Sequence, residues 1–177
     1  MRTRRAVLFG TLAMAPSFPT SEPWVDFSPP TGGFTVQLPA APRISSNLVG
    51  TTGGGLETRT ASVTDTDATE YHVSWTVYDA IRIEAKASEA TFHRIRDAFL
   101  KAKGGGAILD EAPFSLGGHP GYSLTFRSDE GRWVTARFAF VRNRFYQVMA
   151  TARTEALAQA STRRFLDSFR LSVAEEI

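Results

Sequence analysis

The chain has 177 residues, 42% of them hydrophobic and 21% charged, and it contains no cysteine. That length suits one ordinary domain able to bury roughly two thirds of its unfolded surface, and no apolar run approaches the roughly 18 residues that span a bilayer. Without cysteine there is no disulfide, no thiolate metal site, no cysteine nucleophile and no signal-peptide cysteine to carry a lipid.

The N-terminal stretch MRTRRAVLFGTLAMA sets three arginines ahead of an apolar run that ends in the Pro-rich APSFPTSEP. This is the layout of an export signal, and it predicts residues 1–20 as the signal and 21–177 as a single domain, periplasmic or secreted. Arg4 and Arg5 before Ala6-Val7-Leu8 also fit a twin-arginine signal, the alternative to Sec export. Losing Arg2, Arg4 and Arg5 reduces the 20 basic residues to 17 against 18 acidic. A near-neutral product excludes nucleic-acid binding as a reading of the basic sequence pI.

Trp24-Val25-Asp26-Phe27 is a short apolar segment suited to a sheet edge, and the following Pro-Pro-Thr-Gly-Gly forces a turn. Phe34–Leu38 (FTVQL) reads as a strand stopped by Pro39 and Pro42. ISSNLV and LETRTASVT read as two more, joined by a loop rich in glycine from Gly50 to Gly55. No helix N-terminus or lysine follows those glycines, so they are not a phosphate loop. Gly104-Gly105-Gly106 follows a helix and reads as its stop. Asp65, Asp67 and Glu70 lack the glycine and distal glutamate of a calcium loop, which leaves a solvated turn. From Tyr71 to Tyr78 the pattern alternates, with Tyr71, Val73, Trp75 and Val77 on one face.

Ser88 suits an N-cap for a helix to about Lys103, with Phe92, Ile95, Phe99 and Ala102 along one stripe. His93 and Asp97 lie on its polar side at a spacing that permits a surface pair. Ile108–Phe114 leads back to the sheet, and Leu116 to Gly121 is rich in turn residues. Three strands follow between Gly117 and Ala152. Reading Ser128–Gly131 as a four-residue loop and Arg142-Asn143 as a two-residue turn, with Asn143 left-handed, parity groups Tyr122, Leu124, Phe126, Trp133, Ala139, Val141, Tyr146, Val148 and Ala150 on one face. Val134, Ala136, Phe138, Phe140, Phe145 and Met149 share the other with Gly121, Ser123 and Thr125. Both faces are apolar, so both need cover. A second helix capped by Thr154, with Leu157, Ala158, Phe165 and Phe169 inward, supplies one layer, and Arg170–Val173 closes the chain as an extended piece. The expected fold is α+β: an antiparallel sheet of about six strands covered by helices on both faces.

GGFTVQLPAAP, GGHPGYSLTF, FAFVRNRFYQVMATA and RRFLDSFRLS together resemble the PsbP/Mog-like superfamily, over most of the chain from Phe27 to Ser172. The resemblance implies an α/β/α sandwich like that of small exported bacterial members. Members include photosystem-associated, Ran-binding and envelope proteins, generally noncatalytic, and the fold does not fix which role applies. No family metal ligand or docking residue transfers to a position here.

The expected function is therefore a noncatalytic envelope binding or assembly module without cofactor or metal, its partner a protein or anionic envelope component and its oligomeric state undetermined. From Arg127 to Ile177 nine basic residues face six acidic ones, and Arg137, Arg142 and Arg144 near the central hairpin form the candidate interaction surface. No GxSxG turn, HExxH pair or P-loop is present. The enzyme alternative would be a hydrolase built on His72, His93 or His119 with a carboxylate or metal. The carrier alternative would use Trp75, Trp133 and Tyr146 as the walls of a ligand pocket.

Overall fold

A computed structural model describes residues 24–51, 54–78 and 83–172. The segment read as an export signal, residues 1–20, and the end of the C-terminal extended piece at Val173 lie outside the described residues. The strands are β1 (Val25–Phe27), β2 (Phe34–Leu38), β3 (Arg43–Thr51), β4 (Gly54–Thr64), β5 (Glu70–Val77), β6 (Ala107–Leu116), β7 (His119–Arg127), β8 (Trp133–Val141), β9 (Arg144–Ala152) and β10 (Arg170–Leu171). A 3₁₀ turn at Ile83–Lys86 precedes helix α1 (Glu89–Ala102), and α2 (Glu155–Ser168) precedes β10.

Seven strands form one antiparallel sheet in the order β3-β4-β5-β9-β8-β7-β6. The short strands form a second sheet, β1-β2-β10. The main sheet is thus wider than the six strands expected, and Val25–Phe27 lies at a sheet edge as expected, but at that of the small sheet, paired with β2.

Alternation of side chains places two clusters on opposite faces of the main sheet. One gathers Tyr71, Val73 and Trp75 of β5 with Tyr146, Val148 and Ala150 of β9, against Phe34, Val36 and Leu38 of β2 and Phe165, Leu166 and Phe169 of α2 and its end. The other gathers Tyr122, Leu124 and Phe126 of β7, Val134, Ala136 and Phe138 of β8 and Met149 of β9, against Phe92 and Phe99 of α1. Both helices begin as the sequence indicates: Ser88 Oγ accepts the Thr91 amide at 3.2 Å and Thr154 Oγ1 accepts the Leu157 amide at 3.4 Å. The inward stripe of α2 is carried by Phe165, Leu166 and Phe169, while Leu157 and Ala158 are half-buried.

One expectation is overturned. Tyr122, Leu124 and Phe126 share a face with Val134, Ala136 and Phe138, not with Trp133, Ala139 and Tyr146. The β7–β8 pairing ends at Arg127↔Trp133, so the connection is Ser128–Arg132, one residue longer than the loop assumed. Ser128 and Arg132 close it: the Ser128 amide donates to the Arg132 carbonyl at 2.8 Å, and Gly131 takes φ 81° inside. A left-handed residue after a turn adds one residue to a hairpin loop, and a one-residue change moves every side chain of the strand to the other face. The face of β7 toward α2 is consequently small and polar, made of Gly121, Ser123 and Thr125.

The expectation that both faces of the three central strands are apolar therefore fails on that face of β7, and toward the β3 edge, beyond those strands, one face of the sheet is polar as well. There Thr58, Thr60, Ser62, His72, Ser74 and Thr76 share the α1 side, and hydroxyls pair across strands at 2.7 Å (Thr58 and Thr76) and 2.8 Å (Thr60 and Ser74).

Candidate functional site

The end of the sheet at the β8–β9 turn is held by contacts between segments distant in sequence. Val141↔Arg144 closes a two-residue turn of Arg142 and Asn143. Arg142, not the expected Asn143, carries the positive φ, at 52°. The reason is a clamp. Glu84 in the 3₁₀ turn accepts the Arg142 amide on Oε2 at 2.9 Å, and its own amide donates to the Arg142 carbonyl at 3.1 Å. Asn143 is fixed from the other side, its carbonyl accepting the Tyr78 amide at 2.8 Å and its side chain donating to the Tyr78 carbonyl at 3.1 Å. A non-glycine residue in this region costs roughly 1–2 kcal/mol, which the surrounding contacts must offset.

His119 joins the same clamp, its Nδ1 lying 2.9 Å from Glu84 Oε1. The two-residue turn before it is Gly117-Gly118, and His119 is the first residue of β7, paired with Leu116, instead of a turn residue. A histidine oriented by a carboxylate is the supporting half of a nucleophile-activating pair. The other half is not assembled, because no hydroxyl is hydrogen-bonded to the imidazole among the described residues. Glu84 is the hub that sequence reading missed. It sits in IRIEAKAS with no apolar period or motif around it, so nothing local marked it.

Of the three arginines singled out, Arg142 lies in the turn and Arg144 directly follows it, whereas Arg137 sits further back on β8. Arg137 is engaged by α2: its guanidinium donates to the Leu166 carbonyl and to Asp167 Oδ1, each at 2.9 Å, and packs 5.5 Å from the Phe114 ring centre. About 13 Å of strand separates its register position from Val141.

The other histidines stand apart. His72 on β5 lies 3.7 Å from Glu70, which also binds Arg132 at 2.9 Å. Burial lowers the His72 pKa below its ordinary 6.5, and the nearby Lys103 lowers it further. His93 on α1 faces Glu89 at 3.9 Å and sets its ring against Tyr122, while Asp97, its expected companion, is bound by Arg96 at 2.9 Å. Each histidine thus has its own carboxylate, the three pairs lie in different parts of the fold, and no group of three metal-ligating side chains occurs among the described residues. In the acidic turn, Asp65 Oδ1 accepts the amides of Asp67 and Thr69 at 3.0 and 2.8 Å, and Oδ2 accepts the Tyr71 hydroxyl at 2.8 Å. That carboxylate organises its own turn.

The aromatic walls do not enclose a ligand pocket. Trp75 and Tyr146 are core residues, 2% and 1% exposed. The Tyr146 hydroxyl donates to the Gly32 carbonyl at 2.7 Å, and burial pushes its pKa up to about 12. The cavity beside Tyr146, bounded by Phe114, Leu116, Val148 and Phe169, holds about 20 Å³, room for about one water. Trp133 instead lines an open cleft of about 450 Å³ beside α2, with Thr125, Thr135, Gln159 and Arg163. A second open cleft, about 590 Å³, runs along α1 between Ile95, Phe99, Phe140, Phe145 and Lys103.

Comparison with known protein families returns no match, and none of the curated proteins matches. Among solved structures the chain is similar to cyanobacterial PsbP (CyanoP) from Synechocystis. The identity is 11%, the TM-score 0.58, and the match covers 90% of this chain and 98% of that one. The fold is PsbP-like, as the sequence motifs implied. No described helix is long and apolar enough to cross a membrane.

Proposed function

We propose that the chain is a noncatalytic, exported binding or assembly module of the cell envelope that meets an acidic or otherwise anionic partner through the turn carrying Arg142 and Arg144. The observation that carries this reading is the clamp on Arg142. A backbone strain of φ 52° is held at the end of the sheet by Glu84, with a second arginine beside it. Residues held by their surroundings in sparsely populated backbone regions cluster at functional sites. Arg137 fastens α2 to the sheet behind this end. The generally noncatalytic character of the superfamily that the sequence resembles supports the reading by analogy. The three-layer arrangement with helices covering both faces belongs to the same reading, since the phenylalanines of α1 and α2 join opposite clusters.

Capture from a cell-envelope extract tests it. A partner should be retained at low salt, weakened at moderate salt and lost on replacing Arg142 and Arg144 together by Glu. Retention of nothing at either salt, or capture indifferent to both salt and substitution, would contradict the proposal. Export is part of the same reading: N-terminal sequencing of the recovered protein should begin near residue 21, and a start at Met1 would count against it.

The open cleft along α1 favours a second reading, carriage of a small apolar ligand. Saturable uptake of an apolar fluorophore, abolished by filling the cleft with Ala98→Trp, would support it, and uptake unaffected by that substitution would not.

A further inference from the structure

The two outer strands of the main sheet are built differently. β6 carries Asp110, Glu111 and Pro113, and its pairing with β7 is broken by an irregularity between Ile108 and Asp110. Charge, proline and a bulge are the devices that keep an edge strand from accepting another chain. β3 has none of them beyond Arg43. Its nine pairs with β4 run without interruption, and RISSNLVGT holds no other charge and no proline. Ile44 is 55% exposed and Leu48 is 74% exposed. They pair with Ala61 and Glu57, so they share one face of the strand.

We propose that β3 docks a second copy of this chain, pairing antiparallel with the same strand of the other molecule about a two-fold axis at Ser46 and joining the two sheets into one. The pattern is self-complementary in this register. Ile44 falls opposite Leu48 of the second copy and Leu48 opposite its Ile44, while Ser45 meets Asn47 on the reverse face. Apolar side chains then cover each other and polar ones pair, which is what stabilises cross-strand neighbours. Moving the axis to Ser45 or Asn47 would leave Ile44 facing Ser46 or Gly50 and would separate the apolar pair. The two copies of Arg43 end up about 20 Å apart along the seam, well beyond the roughly 8 Å over which exposed charges act at physiological salt. On the neighbouring strand Glu57 and Arg59 bind each other at 3.0 Å, so no uncompensated charge flanks the seam on that face. A two-fold contact of this kind closes on itself and does not propagate through the main sheet, whose remaining edge in each copy is the guarded β6.

Sedimentation equilibrium of the purified protein up to sub-millimolar concentration tests the proposal. The wild type should show a monomer–dimer equilibrium. Ile44→Lys and Leu48→Lys should each weaken it by at least about tenfold, and Ile108→Lys on the opposite edge should leave it unchanged. Near-UV circular dichroism reports whether each variant keeps its fold. As a readout without substitution, amide exchange in β3 should slow as wild-type concentration rises. A wild type that stays monomeric, a dimer that survives both β3 substitutions or is lost equally with Ile108→Lys, or exchange in β3 independent of concentration, would each overturn it.

Discussion

At Arg142 and His72 the environment, and not the residue type, sets what the side chain or backbone does. Arg142→Gly removes the penalty of a left-handed non-glycine residue and should raise stability by about 1 kcal/mol in chemical denaturation. The same substitution removes a proposed partner contact and should weaken capture. A variant no more stable than the wild type would mean that the clamp imposes no strain. His72 gives a pH signature. Burial and Lys103 hold its folded pKa below 6.5, so on acidification the unfolded chain takes up the proton first. Stability is therefore undiminished above 6.5 and falls as pH drops from that value toward the folded pKa. His72→Gln should flatten this part of the profile in urea melts between about pH 5 and 7.5, and an unchanged slope would contradict the assignment. Neither residue's behaviour was legible in the sequence. Arg142 had an asparagine beside it that is the better left-handed residue, and the Glu84 that decides otherwise lies 58 positions away.

Among elements, the helices were legible because their caps and stripes are local. Ser88 and Thr154 cap where the pattern places them, and Phe92, Phe99, Phe165 and Phe169 bury where the period points. The strand β7 was assigned to the wrong face because one glycine decides its parity. DEG between Ser128 and Arg132 suits an even or an odd loop until Gly131 is placed at φ 81°. Gly131→Ala should therefore destabilise the protein by about 1–2 kcal/mol in urea unfolding, although the added Cβ meets nothing closer than the Arg127 side chain at 3.8 Å. An unchanged midpoint would mean that the glycine conformation is dispensable to the loop. The hydroxyl face of β4 and β5 is a related case. Alternation of Thr58, Thr60 and Ser62 with Arg59, Ala61 and Val63 is visible in the sequence, but which side lies toward α1 depends on neighbours that β4 acquires only in the assembled sheet.

For the whole molecule, likeness to cyanobacterial PsbP at 11% identity shows that pattern and not residue identity carries this fold. The motifs behind the sequence resemblance are turns and apolar alternations, features that persist when individual residues change. A binding surface has no such redundancy. Its arginines are ordinary in composition, and among the described residues the clamp formed by Glu84, Arg142 and His119 marks one end of the sheet. The proposed function therefore stands on whether charge at this end acts locally. The most direct measurement is the affinity of a captured envelope partner for three proteins: wild type, Arg142→Glu with Arg144→Glu, and Arg153→Glu with Arg163→Glu. The two variants change net charge equally, and Arg153 and Arg163 are exposed positions away from the turn. Loss of affinity confined to the Arg142 and Arg144 variant is the expected result. Equal loss in both variants, or loss in neither, would contradict a docking site at the β8–β9 turn.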